Sequence, residues 1–293
     1  GSSTWYVTTP DGFEYKFNVT ETTEPAGYTE TASYTSSWYL GKITSPKGYE
    51  ITFNYSSPGL LYTGDGKSET FTVDIGRTTG LPTQVNSPTN YFTHSKVGKK
   101  YLSSITCSMG SVVFTSTSDR TDFKTGAGLV AAKRLTKITI EGEAGSSNLD
   151  KEITFQNNTY FDNGGSGYDN KRLKLAGILI GDQIYAFDYH HETNLPSILS
   201  EGQDHWGYYN GGSELSPSYS ISNYSLDDSN RDTNPSTCDY GLLKTIYYPT
   251  GGKTEYDYEC HDYSFIGNSA VNEPRYETEN ISTNYFGGGI DYS

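Results

Sequence analysis

Methionine, cysteine and histidine are rare in this chain, with one Met, three Cys and five His in 293 residues. Cys107, Cys238 and Cys260 show no C-x2-C spacing, which removes thiolate zinc sites from consideration. Cys238 and Cys260 flank a hairpin pattern, so a disulfide between them and three separate thiols both stay open. Five histidines leave little material for a site built on three or four converging imidazoles. No run approaches the roughly 18 apolar residues of a membrane-spanning helix. Helix formers are scarce as well, and the one alanine-rich run lies at 126–135. Basic residues are outnumbered, 21 against 35 acidic, for a net charge of −14. That field repels phosphate, so nucleic acid and anionic membrane are poor partners. Divalent cations and neutral sugars are compatible with it, and so is a surface that serves solubility alone. No signal-peptide pattern is read in the given residues, and targeting segments are expected to have been cut away. Gly1-Ser2-Ser3-Thr4 reads as a cloning scar running straight into a strand, and 287–293 reads as a strand cut short, so a fragment of a longer protein is expected.

Aromatics and glycine are abundant instead: 27 Tyr, 12 Phe and 3 Trp with 32 Gly. Aromatic and β-branched residues between frequent turn residues predict many short strands, in one large all-β domain or two smaller ones. The pattern is clearest at 241–259. An apolar stretch reaches Tyr248, Pro249-Thr250-Gly251-Gly252 supplies a turn, and Thr254, Tyr256 and Tyr258 then alternate with Lys253, Glu255, Asp257 and Glu259. Period two predicts a strand with one buried and one wet face. Proline followed two residues later by glycine recurs at Pro10-Asp11-Gly12 and Pro46-Lys47-Gly48.

Five incoming strands share a Leu-x-x-Ile core: Leu40/Ile43, Leu102/Ile105, Leu135/Ile138, Leu175/Ile178 and Leu243/Ile246. A spacing of three puts the two side chains on opposite faces of a regular strand. Either the strand is buried on both sides or a bulge separates the pair. Uneven intervals between the leucines exclude a fixed-period solenoid. They predict one repeat region over 1–293, with surface loops at 20–37, 56–69, 157–170 and 210–238.

The run from Trp38 through Leu40, Ile43, Pro46, Gly48, Ile51 and Phe53 to Tyr55 resembles the RHS/YD repeat family of bacterial surface and secreted proteins. So do 203–211, reading Gln-Asp-His-Trp-Gly-Tyr-Tyr-Asn-Gly, and 241–252. The divergent form in large Bacteroidetes repeat proteins is most similar. The resemblance implies long twisted antiparallel sheets of successive β-hairpins that curl into a shell, with an extracellular or outer-surface location. It implies neighbouring repeats of the same parent, and an enclosed cargo polypeptide, as partners. Some members release a C-terminal toxin through an Asp-Pro-x-Gly core, and no such core is present.

Several groups invite a chemical reading. Trp206, Tyr208 and Tyr209 could stack on sugar rings, with Asp204, His205 and Asn210 bonding hydroxyls. The same block equally reads as a packed indole whose polar neighbours tie down a loop. Asp228, Asn230 and Asp232, with Asn234, space oxygens as in a calcium loop. Thr233, however, stands where the EF-hand pattern has glycine, so adventitious calcium competes with a plain polar loop. His190-His191-Glu192 should diverge as adjacent strand positions. Cys260-His261 offers a thiol beside an imidazole, although catalytic pairs are usually assembled by the fold. Glu255 and Asp257 share a strand face, as paired carboxylates can, but alternate with lysine as a solvated edge does. Residues 163–167 match neither a P-loop nor a nucleophile elbow. The sequence therefore predicts a non-enzymatic scaffold without a cofactor, with a carbohydrate-binding module as the competing reading.

Overall fold

The computed structural model describes residues 4–25, 32–70, 73–75, 82–85, 89–126, 128–142, 151–213, 218–220, 225–227, 229–261, 265–266 and 269–270. Its strands in chain order begin with β1 Trp5–Thr8, β2 Glu14–Pro25, β3 Tyr34–Thr44, β4 Glu50–Ser56, β5 Leu61–Thr70, β6 Val73–Ile75, β7 Pro82–Val85 and β8 Thr89–Val97. They continue with β9 Tyr101–Cys107, β10 Gly110–Thr117, β11 Arg134–Gly142, β12 Lys151–Gln156, β13 Thr159–Asp162, β14 Lys171–Lys174, β15 Gly177–Ile180 and β16 Gln183–Tyr189. The last are β17 Ser218–Ser220, β18 Ser225–Asp227, β19 Leu243–Tyr247, β20 Lys253–Glu255, β21 Phe265–Ile266 and β22 Ser269–Ala270. Among the described residues there is no α-helix, only the 3-10 turns Tyr168–Asn170 and Ser229–Arg231. The protein is all-β.

Fourteen strands form one sheet, in the order β20-β19-β16-β15-β12-β11-β10-β9-β4-β3-β2-β8-β5, with β1 also on β2. Neighbours from β20 to β8 pair antiparallel, and from β2 to β20 the order follows the chain apart from inserted segments. One insertion, β5 to β8, returns β8 to the far half of β2 at Thr23↔Val97.

Three hairpins close through one kind of turn. Gly12, Gly48 and Gly251 donate to the carbonyls of Thr9, Ser45 and Tyr248 at 2.8, 2.9 and 2.9 Å. Their φ values are +86°, +82° and +82°, the left-handed region that glycine enters without steric cost. Proline, two places before each, presets the first turn residue. At β15–β16 the loop shortens to two residues, and Gly181 takes the first central position at φ +62°.

The Leu-x-x-Ile ambiguity resolves as a bulge. Leu40 faces Phe17 and Lys42 faces Lys16, so Gly41 has no counterpart. Ser103, Thr136 and Lys244 are extra in the same way. In the fifth copy Ala176 donates to the Gln156 carbonyl at 2.7 Å while Gly177 is the register partner of Gln156, again two residues against one. One extra residue restores parity, so leucine and isoleucine lie on the same face. There they meet residues two apart on the preceding return strand: Phe17/Tyr15, Tyr55/Phe53, Ser116/Phe114 and Tyr189/Phe187.

Two expectations need correction. Among the described residues, 20–25 and 34–37 are strand in β2 and β3, 61–69 is strand in β5, and 159–162 is β13. Threonine misled there: it is polar, but its β-branch suits an extended backbone on a half-exposed sheet. The return strand after Gly252 stops at Glu255, and Tyr258 is 40 % exposed instead of sharing a buried face.

The chain divides into two units, one of residues 1–66, 93–189 and 243–256, the other of 67–92, 190–242 and 257–293. In the first, Leu61, Tyr62, Val97, Ala132 and Phe161 are buried, together with a satisfied polar set. Asp122, for example, takes Arg120 Nη2 at 2.6 Å and the Leu173 N–H at 3.0 Å. In the second, Leu195 and Cys238 are buried.

Candidate functional site

The second unit holds the aromatic block at 204–210. Asp204 is 1 % exposed and acts as a local template. Its Oδ1 accepts the N–H groups of Trp206 and Tyr208, both at 2.9 Å. Its own N–H donates to Tyr208 O at 2.8 Å, and Gly207, at φ +91°, donates to Asp204 O at 3.1 Å. Aspartate suits this place because a short carboxylate can hold two backbone donors two and four residues on.

Asn210 joins the block to the next loop. Its Nδ2 donates to the carbonyls of Asn230 and Asp232 at 2.8 and 3.1 Å, and its Oδ1 accepts the Gly212 N–H at 3.0 Å. Asn234 Nδ2 returns a bond to Asn210 O at 2.9 Å, and Thr237 Oγ1 bonds Tyr209 O at 2.9 Å. Arg231 Nη2 reaches Asp204 O at 3.1 Å. Thus the side chains of Asp204 and Asn210 bond backbone groups, and His205 is half-buried beside them. Of the calcium-type positions, Asn230 and Asp232 offer their carbonyls to Asn210, while Asp228 lies outside the described residues. Among the described residues no group of three or more His, Cys, Asp or Glu could hold a metal ion.

The rings split into two sets. Trp206, 39 % exposed, stacks on His261 at 5.6 Å and 28°, and Tyr208 approaches the same imidazole at 5.5 Å. Tyr209 packs on Tyr240 at 5.6 Å, and His191 stacks on Tyr240 at 4.2 Å. In the sequence His261 stands out only as the neighbour of Cys260, 55 residues from Trp206 (261 − 206). Nothing in local spacing could have revealed that long-range contact.

His190 and His191 do not diverge. The strand ends at Tyr189 and His191 adopts φ +49°, so both imidazoles turn to one carboxylate. His190 Nδ1 lies 3.1 Å from Asp239 Oδ2, and His191 Nε2 lies 3.5 Å from Asp239 Oδ1. Tyr258 meets His190 edge-on at 5.8 Å.

The Cys260 thiol is pushed up to about 12, chiefly by burial, then by the neighbouring Cys238 sulfur and the charges of Asp204 and Asp239. A thiol held protonated at neutral pH is the reverse of an activated nucleophile. Asp262 lies outside the described residues. Glu255 is exposed and takes Lys253 Nζ at 2.7 Å. On the sheet, a depression of 310 Å³ over the Gly41 bulge is lined by Lys16, Asn18, Lys42, Asn54 and Tyr55 among others. Another of 340 Å³ lies around Tyr49, Glu50 and Cys107, and neither brings two carboxylates together.

Comparison with family models, with curated proteins and with solved structures finds no match to this chain.

Proposed function

We propose that this chain is a non-catalytic scaffold segment of a bacterial surface or secreted repeat protein of the RHS/YD type, built to continue into neighbouring repeats and to enclose or present a polypeptide. The recurring interface carries the reading: four times, the return strand of one unit meets the bulged Leu-x-x-Ile strand of the next in the same register. Such a module extends by repetition and needs no catalytic centre. The sheet's ends support it. β20 is blunted by Lys253 and Glu255, whereas Trp5-Tyr6-Val7-Thr8 of β1 is uncharged and exposed throughout. An uncharged edge strand is suited to adding another strand. Light scattering tests this: concentration-dependent association, abolished by Tyr6→Lys with Val7→Lys, is expected, and a strict monomer at all concentrations would count against it.

The exposed Trp206 face beside Tyr208 supports a second reading, binding of neutral glycans. Calorimetry against a glycan panel, with Trp206→Ala as the variant that folds but loses binding, separates it from the scaffold reading.

A further inference from the structure

Asn-Gly-Gly occurs at 163–165 and again at 210–212, and the two copies share a backbone shape. In each the first glycine is left-handed, Gly164 at φ +85° and Gly211 at φ +80°. In each the second glycine N–H donates to the asparagine Oδ1 at 3.0 Å, Gly165 to Asn163 and Gly212 to Asn210. That bond folds the side-chain amide back along its own backbone and polarises its carbonyl. The surroundings differ. Asn210 is 9 % exposed, and its Nδ2 is tied to the carbonyls of Asn230 and Asp232. Asn163 is exposed, in the loop between β13 and β14. There the Gly164 N–H donates to Asp162 Oδ1 at 2.8 Å, and Asn163 Nδ2 donates to Asn170 Oδ1 at 2.9 Å. Lys171 Nζ, 3.7 Å from Asp162 Oδ2, helps hold that carboxylate in place. A carboxylate base, a backbone nitrogen and a polarised amide therefore stand in series at Asn163.

We propose that Asn163 is a covalent self-modification site, converted in the folded protein to aspartate and isoaspartate through a cyclic imide with Gly164. Asp162 takes the proton from Gly164 N as that nitrogen attacks Asn163 Cγ. The Gly165 N–H stabilises the oxyanion that forms at Oδ1. The Cγ–Nδ2 bond then breaks, Asp162 returns the proton to the departing nitrogen, and ammonia leaves. Water opens the imide. Breaking the new bond between Gly164 N and Cγ gives aspartate, and breaking the old bond between Gly164 N and the main-chain carbonyl carbon of residue 163 gives isoaspartate. One water is consumed, one ammonia is released, and nothing is oxidised or reduced. Glycine at 164 puts no side chain in the path of the attack. The product sets a new carboxylate beside Asp162 and removes the amide that donated to Asn170 Oδ1. At Asn210 the same cyclisation has to strip Nδ2 of both its carbonyl partners inside a buried loop, so that copy stays asparagine. This chemistry does not rest on the scaffold reading.

The test incubates the full folded chain at mildly alkaline pH in water labelled with heavy oxygen, then maps its peptides by mass and separates aspartate from isoaspartate. The expected result is label entering at 163 in both products, at least about tenfold faster than at 210. Asp162→Asn should slow the reaction at 163 by about tenfold or more, and Asn163→Gln, which would have to close a larger ring, should stay unlabelled. In urea, where neither loop is formed, the two copies should react at similar rates. Label at 210 therefore also reveals a variant that has failed to fold, and the parent's own ratio of 163 to 210 then decides. An unlabelled Asn163 in the folded chain, equal folded rates at 163 and 210, or a folded Asp162→Asn variant as fast as the parent would overturn the proposal and leave the scaffold reading untouched.

Discussion

The phenol of Tyr55 donates to the carbonyl of Leu40 at 2.9 Å, at the point where the Gly41 bulge breaks the ladder. Tyr189 does the same for Leu175 at 2.8 Å, and Asn157 Nδ2 does it for Leu135 at 2.8 Å. A bulge leaves backbone groups out of the regular ladder, and a buried carbonyl needs a donor. In these three copies a side chain at or just past the end of the return strand supplies it.

Removing the donors should therefore weaken the fold without altering its packing. Tyr55→Phe and Tyr189→Phe are each expected to cost about 1 kcal/mol. Their sites lie in different hairpins, so the double variant should show nearly the sum. Urea unfolding midpoints check this, and unchanged midpoints would contradict it.

Glycine at Gly110 answers a steric demand. A Cβ there would sit 2.2 Å from the Glu141 carbonyl oxygen at φ +143°, whereas at Gly48, φ +82°, it meets open space. Gly48→Ala should cost about 1–2 kcal/mol for its left-handed backbone. Gly110→Ala must also push a neighbouring strand aside and should cost about 3 kcal/mol or more. Thermal unfolding of the two variants side by side gives the comparison.

Asp204→Ala strips the acceptor from two backbone N–H groups in a buried loop and should cost about 3 kcal/mol. Asp204→Asn keeps an amide oxygen in place and should cost less. Hydrogen exchange at the Trp206 and Tyr208 amides should accelerate strongly in the alanine variant and weakly in the asparagine one. Equal exchange in both would contradict the template role.

Alkaline titration probes the Tyr39–Glu21 contact, where the phenol donates to Glu21 Oε2 at 2.8 Å. Burial, then the bond to Glu21 and its charge, raises Tyr39 from 10.0 to about 12. The folded state thus favours the protonated phenol. The stability this contributes is fully present below pH 10 and is lost between 10 and about 12, as the unfolded chain ionises first. Across that window Tyr39→Phe should lose stability less steeply with pH than the parent. Parallel slopes would contradict the assignment.

What the sequence shows depends on the range of the cause. Pro-x-Gly turns act within four residues, and all three are where they were expected. The Leu-x-x-Ile spacing signals an irregular strand but not which irregularity, because a bulge is defined by the partner strand. Thr20, Thr22 and Thr23 read as loop by polarity and lie in β2 by shape. The convergence of His190 and His191 depends on a left-handed residue that no local pattern marks. At 204–210 the sequence identifies the block as unusual, while its bonds to residues 230–237 and the stacking of Trp206 on His261 come from parts of the chain brought together only by folding.

The register between β4 and β9 tests the central claim most directly, by nuclear Overhauser contacts between backbone protons across the two strands. The bulged hairpin unit predicts Tyr55 opposite Leu102 and Phe53 opposite Ile105 in the same molecule, with Ser103 lacking a counterpart. Tyr55 opposite Ser103 would mean a regular ladder, with leucine and isoleucine on opposite faces, and would contradict the account.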